Sequence, residues 1–122
     1  MSWLDATPDL LEVARAALRA DLLPALPPER RYHGAMIANA LAVASRELRL
    51  GPAAREAEQH ALAALLGSTD QALGELRRSL CHGIRAGLHD GERSATLRAI
   101  LREAVRRRLE ISNPEHLTKH GG

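Results

Sequence analysis

Apolar residues recur at steps of three and four along residues 30–50, the spacing that places side chains on one face of an α-helix. This apolar stripe consists of Ile37, Ala40, Leu41, Ala44 and Leu48. We therefore predict a central helix from about Glu29 to Leu50. Four polar residues intrude among its small apolar residues, namely His33, Asn39, Arg46 and Glu47. A buried polar group without a partner costs about 1–3 kcal/mol, so in a central helix these residues need partners or line a cavity.

A second amphipathic pattern precedes the central helix. Thr7, Pro8 and Asp9 predict a helix start, because Thr caps free N–H groups, Pro suits the first helical position and Asp complements the positive helix end. The residues that follow form one apolar face, which consists of Leu10, Val13, Ala14, Ala17, Leu18 and Leu22. We expect this helix to stop before Pro24.

Glycine and proline residues divide the next part of the chain. Gly51-Pro52 predicts the end of one helix and the start of a third, because Gly favours the position after a helix and Pro the first position within one. The third helix is expected to end at Leu66. Ser68 and Gln71 have the spacing of a capping box and predict the start of a fourth helix. The apolar stripe of that fourth helix consists of Leu73, Leu76, Leu80 and Ile84.

A fifth helix is predicted from about Glu92 to Ile111, after a turn at residues 87–91. Asn113-Pro114 ends it, because the residue before a proline disfavours the helical conformation.

Short connections between consecutive helices favour antiparallel neighbours. The sequence therefore predicts an all-α fold, a compact and mostly antiparallel bundle of about five helices. We expect a single helical domain over residues 1–122, with frayed tails at residues 1–6 and 113–122.

The composition fits closely packed helices. With 45% hydrophobic residues, 2% aromatic residues and no Phe, the core is expected to consist of Leu, Ala, Val and Ile. Ala has the highest intrinsic helix propensity. A formal charge of +2 with 26% charged residues indicates neither a disordered polyelectrolyte nor a strongly basic nucleic-acid-binding protein.

The polar residues of the central helix allow two interpretations each. His33 is either a general base or substrate-binding donor, or a packed histidine, and we favour the second. Asn39 either binds a ligand or bonds to a neighbouring helix end and fixes the packing register, and again we favour the structural role. Arg46 and Glu47 are also candidate ligand residues, but ion pairs between helices or at the surface explain them most simply.

Arginine side chains crowd the fourth and fifth helices. A phosphate-binding role for them is one hypothesis, and its candidate residues are Arg77, Arg78, Arg102 and Arg106. The alternative is a solvated basic face, which we favour because Glu103 and Glu110 interleave with the arginines and aromatic residues for base stacking are scarce. Nucleic-acid binding is therefore not expected.

No catalytic set, metal site or cofactor motif is recognised. Cys81 and His82 are adjacent, and adjacent helical residues do not face each other, so we expect Cys81 to be a small core or boundary residue. No stretch approaches the roughly 18 apolar residues of a membrane span. A single cysteine and an N-terminus without a secretory pattern predict a cytoplasmic protein.

Four stretches carry a resemblance to a known family, residues 10–27, 30–52, 76–91 and 101–117. The block RRYHGAMIANALAVASRELRLGP and the closing Asn113-Pro114 contribute most of it. The chain resembles a bacterial family catalogued as a domain of unknown function, number 6285. The resemblance implies a small helical protein often encoded beside an aminoglycoside-phosphotransferase-like kinase and an acyl-CoA dehydrogenase. The family has no established activity or catalytic residues.

Three functional hypotheses follow. The first is a non-enzymatic accessory module, monomeric or homo-oligomeric, that binds a kinase-like or acyl-CoA dehydrogenase-like partner, with Trp3 as a candidate anchor. The second is a small-molecule site for an acyl-CoA or phosphorylated metabolite, in which His33 and Asn39 orient the ligand. The third, which we favour least, is nucleic-acid binding by the arginine face.

Overall fold

The computed structural model describes residues 3–68 and 71–119, and within those ranges the chain contains α-helices and no strand. The five helices are α1 (Trp3–Ala17), α2 (Pro28–Leu66), α3 (Leu73–Arg85), α4 (Arg93–Ser112) and α5 (Pro114–Lys119). The predicted all-α fold class and helix number are thus confirmed. None of the described helices is long and apolar enough to cross a membrane.

Close contacts divide the chain into two compact units. The first unit comprises Met1–Gly51 with Ile111–Asn113, and the second comprises Pro52–Glu110 with Pro114–Gly122. The expectation of a single domain stays a prediction.

Helix α2 runs without interruption through the Gly51-Pro52 pair, so the predicted helix break is wrong. Proline normally disfavours the helical conformation of the preceding residue, partly through a clash with its Cβ. Gly51 has no Cβ and therefore tolerates that neighbour. The pair marks the boundary between the two units instead of the end of a helix.

In the first unit, α1 and the start of α2 form an antiparallel helical hairpin. Its connection is a π-helical segment, Leu18–Leu22, followed by a 3₁₀ turn, Leu23–Ala25. The predicted stop near Pro24 is confirmed. Close to this connection, a Cβ added to Gly34 would lie 2.6 Å from Leu23 Cδ1.

Farther along the hairpin, Glu12 of α1 is held by Ser45 and Arg49 of α2 as well as by its own neighbour Arg15. The Arg15 guanidinium donates two hydrogen bonds to Glu12 Oε2, at 3.0 and 3.1 Å. That pairing, helped by the charge of Arg15, a hydrogen bond from Ser45 and the charge of Arg49, lowers the pKa of the Glu12 carboxyl below its usual value, against an opposing effect of burial.

The face of α2 that the hairpin buries is lined by small residues. Gly34, Ala38 and Ser45 are buried, and the last two have no exposed surface. Small residues at this spacing let the two helix backbones approach closely. The hairpin therefore turns the larger apolar side chains of α2 away from α1.

The apolar faces of α1 and α2 were predicted to pack in the core. In the first unit they are largely exposed, so this prediction is wrong there. On α2 the exposed members of the predicted stripe are Ile37, Ala40, Ala44 and Leu48. On α1 and its continuation they are Leu10, Val13, Ala14, Ala17 and Leu22. Val13 is 67% exposed and Ile37 is 56% exposed. We call these nine residues, together with the exposed Tyr32 and Met36 of α2, the apolar surface of the first unit.

The second unit has a conventional leucine core. Its buried residues are Leu62 of α2, Leu76 and Leu80 of α3 and Leu97 of α4. Ala63, Leu65, Leu66, Leu73 and Ile100 pack against them. The predicted stripe of α3 thus supplies much of the core, except that Ile84, near its end, is 44% exposed.

Helix α2 ends at Leu66, as predicted, and Gly67 follows it. Gly67 has a left-handed φ of 70°, and the amide of Ser68 donates to the carbonyl of Ala63 at 3.0 Å. This is the Schellman arrangement that closes the end of a helix.

The capping box predicted at Ser68 and Gln71 is wrong. Helix α3 begins later, at Leu73, and its N-cap residue Ala72 supplies no side-chain cap. The carbonyl of Gln71 instead accepts a hydrogen bond from Gln59 Nε2 of α2 at 3.1 Å. Helix α1 begins at Trp3, before the start predicted at Thr7, Pro8 and Asp9, and Pro114–Lys119 form α5. The expectation of frayed tails at residues 1–6 and 113–122 stays a prediction.

Candidate functional site

The two ligand residues predicted near the start of the central helix lie at the surface. His33 and Asn39 are both exposed on α2. The His33 ring stands edge-on to that of Tyr32, with 6.2 Å between ring centroids and 68° between planes. Water can satisfy polar groups at such positions, so no buried partner is required. Their roles as ligand residues stay predictions.

Arg46 has a structural partner. Its Nε donates to the backbone carbonyl of Ile111 at 2.6 Å. The last four carbonyls of a helix lack helical partners, and Ile111 lies in the last turn of α4. Pro114 has no N–H to offer to this carbonyl. Arg46 therefore closes the end of α4, while the adjacent Glu47 is half-buried.

Two of the four candidate phosphate-binding arginines, Arg77 and Arg106, pair with carboxylates. Arg77 makes a two-pronged contact with Glu58 of α2, at 2.8 and 2.7 Å, and this hydrogen bonding raises the pKa of the Arg77 guanidinium. Arg106 makes a similar contact with Glu103, at 3.0 and 2.9 Å. Arg78 and Arg102 are exposed.

Carboxylates thus neutralise much of the basic face of α4. Glu103 also lies 3.2 Å from Arg107 Nε, and Glu110 lies 3.8 Å from Arg106 Nη1. The hydrogen bonds of Arg106, followed by the charges of Arg106 and Arg107, lower the pKa of the Glu103 carboxyl, while burial acts in the opposite direction. This arrangement favours the solvated ion-pair face over a phosphate site.

A cavity of about 450 Å³ lies within the second unit, where α2 ends, α3 ends and α4 begins. We call it the His89 cavity. It is lined by Leu65, Leu66, Ser79, His82, Gly83, Ala86, Leu88, His89 and Arg93. The eight residues predicted as ligand or phosphate contacts are not among them. The volume is within the range of small-molecule sites in proteins.

The turn after α3 positions His89. Gly87 has a left-handed φ of 78°, the amide of Leu88 donates to the carbonyl of Gly83 at 2.9 Å, and the amide of Gly87 donates to the carbonyl of Ile84 at 3.1 Å. This second Schellman arrangement turns the chain back toward α3. The predicted turn at residues 87–91 is therefore confirmed.

The His89 ring fits against the backbone of Gly83. A Cβ added at Gly83 would lie 3.1 Å from His89 Cδ2, which is tight, and 2.7 Å from His89 Nε2, a distance that real Cβ atoms essentially never show. Gly83 is itself buried. Glycine at this position thus makes room for the imidazole, and the turn at Gly87 delivers it there.

His89 is a buried polar side chain with an unsatisfied atom. The residue is 5% exposed, and its Nδ1 makes no hydrogen bond to any residue in the described ranges. Leaving such an atom unsatisfied costs about 1–3 kcal/mol. Unsatisfied buried groups in folded proteins call for a physical explanation, and a binding role is one of them.

The polar lining of the His89 cavity contains no carboxylate. Ser79, His82 and His89 carry groups that can donate as well as accept hydrogen bonds, and the Arg93 guanidinium is always positively charged and only donates. Leucine side chains form the apolar part of the wall. Such a lining suits an anionic group attached to an apolar body, and the fixed positive charge disfavours a metal ion.

A second cavity in the same unit, about 360 Å³, is lined mainly by alanines of α2 and α4, with Ile100, Glu58, Glu103 and Arg107. Arg107 Nε is buried there and makes no hydrogen bond among the described residues, although it is paired with Glu103. Because that carboxylate already neutralises Arg107, the second cavity offers less to a ligand.

No group of three or more His, Cys, Asp or Glu side chains in the described part of the chain is placed to hold a metal ion. Cys81 is exposed, so the expectation that it is a small core or boundary residue is wrong. The side chain of Trp3, predicted as a partner anchor, lies outside the described residues, as do those of Thr7 and Pro8.

Sequence reasoning missed the cavity residues Ser79, His82, His89 and Arg93. The sequence signal for them is indirect. Gly83 allows another side chain to approach the backbone closely, and Gly87 allows a left-handed turn two residues before His89.

Comparison with protein families identifies the chain. The family described as a domain of unknown function, DUF6285, matches residues 24–116. The chain belongs to the DUF6285 family. No curated protein and no solved structure gave a match. The resemblance drawn from the sequence is thus confirmed at the level of the family.

The DUF6285 match covers α2, α3 and α4 in full and therefore every residue of the His89 cavity. It also covers the part of the apolar surface that lies on α2. Helix α1 precedes the matched range.

Proposed function

We propose that this DUF6285 chain is a non-enzymatic interaction module, and that the apolar surface of the first unit binds a protein partner. One observation carries the proposal. Side chains with the spacing of a core-facing stripe, including Ile37, Leu48, Leu10 and Val13, are exposed on both helices of the hairpin.

The physical reason is the cost of exposing apolar surface. Burying one Ile or Leu side chain is worth about 1.5–3 kcal/mol. Scattered exposed hydrophobic residues are ordinary in proteins, whereas a row of them along one face of a helix is typical of a binding surface. The small residues Gly34, Ala38 and Ser45 form the buried face of α2 in this hairpin. The larger apolar side chains are therefore available to another protein.

The partner that we propose is a kinase-like or acyl-CoA dehydrogenase-like protein in the cytoplasm. The gene neighbourhood implied by the DUF6285 family supports this choice. A helix of the partner would pack against the hairpin as an amphipathic helix packs into an apolar groove. An acidic or basic replacement within the surface should then remove binding without unfolding the chain.

The test is co-expression with each neighbouring gene product, followed by co-purification. It compares the wild-type chain with Ile37→Glu and with the control Val105→Glu. Ile37 and Val105 are 56% and 57% exposed, and Val105 lies on α4 in the second unit. We expect a complex that is weakened at least about tenfold by Ile37→Glu, which corresponds to about 1.4 kcal/mol, and is retained by Val105→Glu.

Failure to co-purify with either gene product would refute the proposed partner. A complex that survives Ile37→Glu would refute the proposed surface. Light scattering on the chain alone provides a further check, because a dimer that Ile37→Glu abolishes would assign the surface to a second copy of the chain.

A further inference from the structure

We infer that the His89 cavity binds a small organic anion, a carboxylate or phosphate attached to an apolar body of a few carbon atoms. All of its residues lie in the second unit, so the inference is independent of the proposed partner surface in the first unit.

The charge of the lining determines the sign of the ligand. Arg93 contributes a permanent positive charge, and Ser79, His82 and His89 contribute donors. Charge-assisted hydrogen bonds to a carboxylate or phosphate are about twice as strong as those between neutral groups. A cation entering the cavity would meet the Arg93 guanidinium without a carboxylate in the lining to offset it.

The apolar wall determines the rest of the ligand. Leu65 and Leu66 come from the end of α2, and Leu88 comes from the turn that carries His89. Binding sites for small molecules combine such apolar walls with a few convergent polar groups. A short alkyl chain beside the leucines and an anionic head group near Arg93 fits this arrangement.

His89 is a fixed part of the cavity wall. The residue is 5% exposed and lies in the lining, and its Nδ1 atom, which is itself buried, has no hydrogen-bond partner among the described residues. Gly83 and the turn at Gly87 hold the ring in this position.

The experiment uses four probes that share one alkyl chain and differ in the head group: hexanoate, hexyl phosphate, hexylamine and hexanol. Binding to the full chain is followed by NMR of the histidine ring signals and by isothermal titration calorimetry. We expect the two anions to bind and to shift the signals of His82 and His89, with the signal of the exposed His60 as an internal reference. The anion that binds more tightly, hexanoate or hexyl phosphate, identifies the preferred head group as a carboxylate or a phosphate.

The matched variants are Arg93→Gln and Arg98→Gln. Both arginines lie on α4, but Arg98 is exposed and its Nε bonds to the backbone carbonyl of Ser94 at 3.4 Å. We expect Arg93→Gln to weaken anion binding about tenfold, or about 1.4 kcal/mol, and Arg98→Gln to leave it unchanged. Both sites are exposed, so both variants are expected to fold.

Three outcomes would overturn the inference. Binding of hexanol or hexylamine as tight as that of hexanoate would show that the head group is not recognised. Equal affinities of Arg93→Gln and Arg98→Gln for the anions would show that Arg93 does not bind the head group. Anion binding without a change in the His82 and His89 signals would place the ligand elsewhere.

Discussion

Replacing Arg46 by Met should destabilise the chain through the loss of one hydrogen bond. Arg46 Nε donates to the Ile111 carbonyl at 2.6 Å, and this carbonyl lies in the last turn of α4. Methionine keeps much of the apolar stem and removes the donor. The carbonyl of Ile111, a buried residue with 4% exposure, then loses its partner.

The magnitude follows from the type of bond. A hydrogen bond to a charged group contributes about 1.5–3 kcal/mol, and the partial exposure of Arg46 places the expected loss at about 1.5–2 kcal/mol. For a chain of this length, 1 kcal/mol shifts the melting temperature by roughly 3–5 °C. We therefore expect a decrease of about 5–10 °C in a thermal unfolding experiment followed by circular dichroism.

The control is Arg30→Met on the same helix, where the arginine is exposed. It should change the melting temperature by no more than about 2 °C, since surface substitutions usually change stability by less than 0.5 kcal/mol. Equal melting temperatures for Arg46→Met and Arg30→Met would refute the role of Arg46 at the end of α4.

Two further predictions concern α2 and α4. Pro52→Ala should stabilise the chain by up to about 3 kcal/mol, because Pro52 lies inside α2 and lacks the N–H of a helical residue; an unchanged or lower urea midpoint would contradict this. Glu103→Gln should lower stability near neutral pH, because the lowered pKa of Glu103 makes its carboxylate stabilising above about pH 4.5. That difference should disappear as the pH falls through the lowered pKa, and urea unfolding at a series of pH values would contradict the prediction if the difference were constant.

The local signals in the sequence proved reliable where a single residue decides the geometry. The left-handed glycines 67 and 87 end their helices as predicted, and the leucine stripe of α3 enters the core. The helix break predicted at Gly51-Pro52 is wrong. Each of the two residues favours a helix boundary by itself, but a glycine before a proline also removes the clash that would end the helix.

The choice of buried face could not be predicted from hydrophobicity. The stripe through Ile37 and Leu48 is more apolar than that through Gly34, Ala38 and Ser45, and the smaller residues are the ones that are buried. Close approach of two backbones depends on side-chain size, whereas an apolar stripe signals only that some partner covers it.

The residues of the His89 cavity could not be predicted from the sequence either. His82, His89 and Arg93 are separated by a turn and have no spacing typical of a binding motif. Their convergence depends on the path of the chain after Gly87 and on the absence of a side chain at Gly83, and both are tertiary features.

The most direct test of the central claim is hydrogen–deuterium exchange of the chain alone and in complex with the co-purified partner. A bound partner should slow the exchange of backbone amides in residues 9–22 and 32–48, which carry the apolar surface of the first unit, with little change in α3. Protection confined to α3 and α4, with none along residues 32–48, would contradict the account.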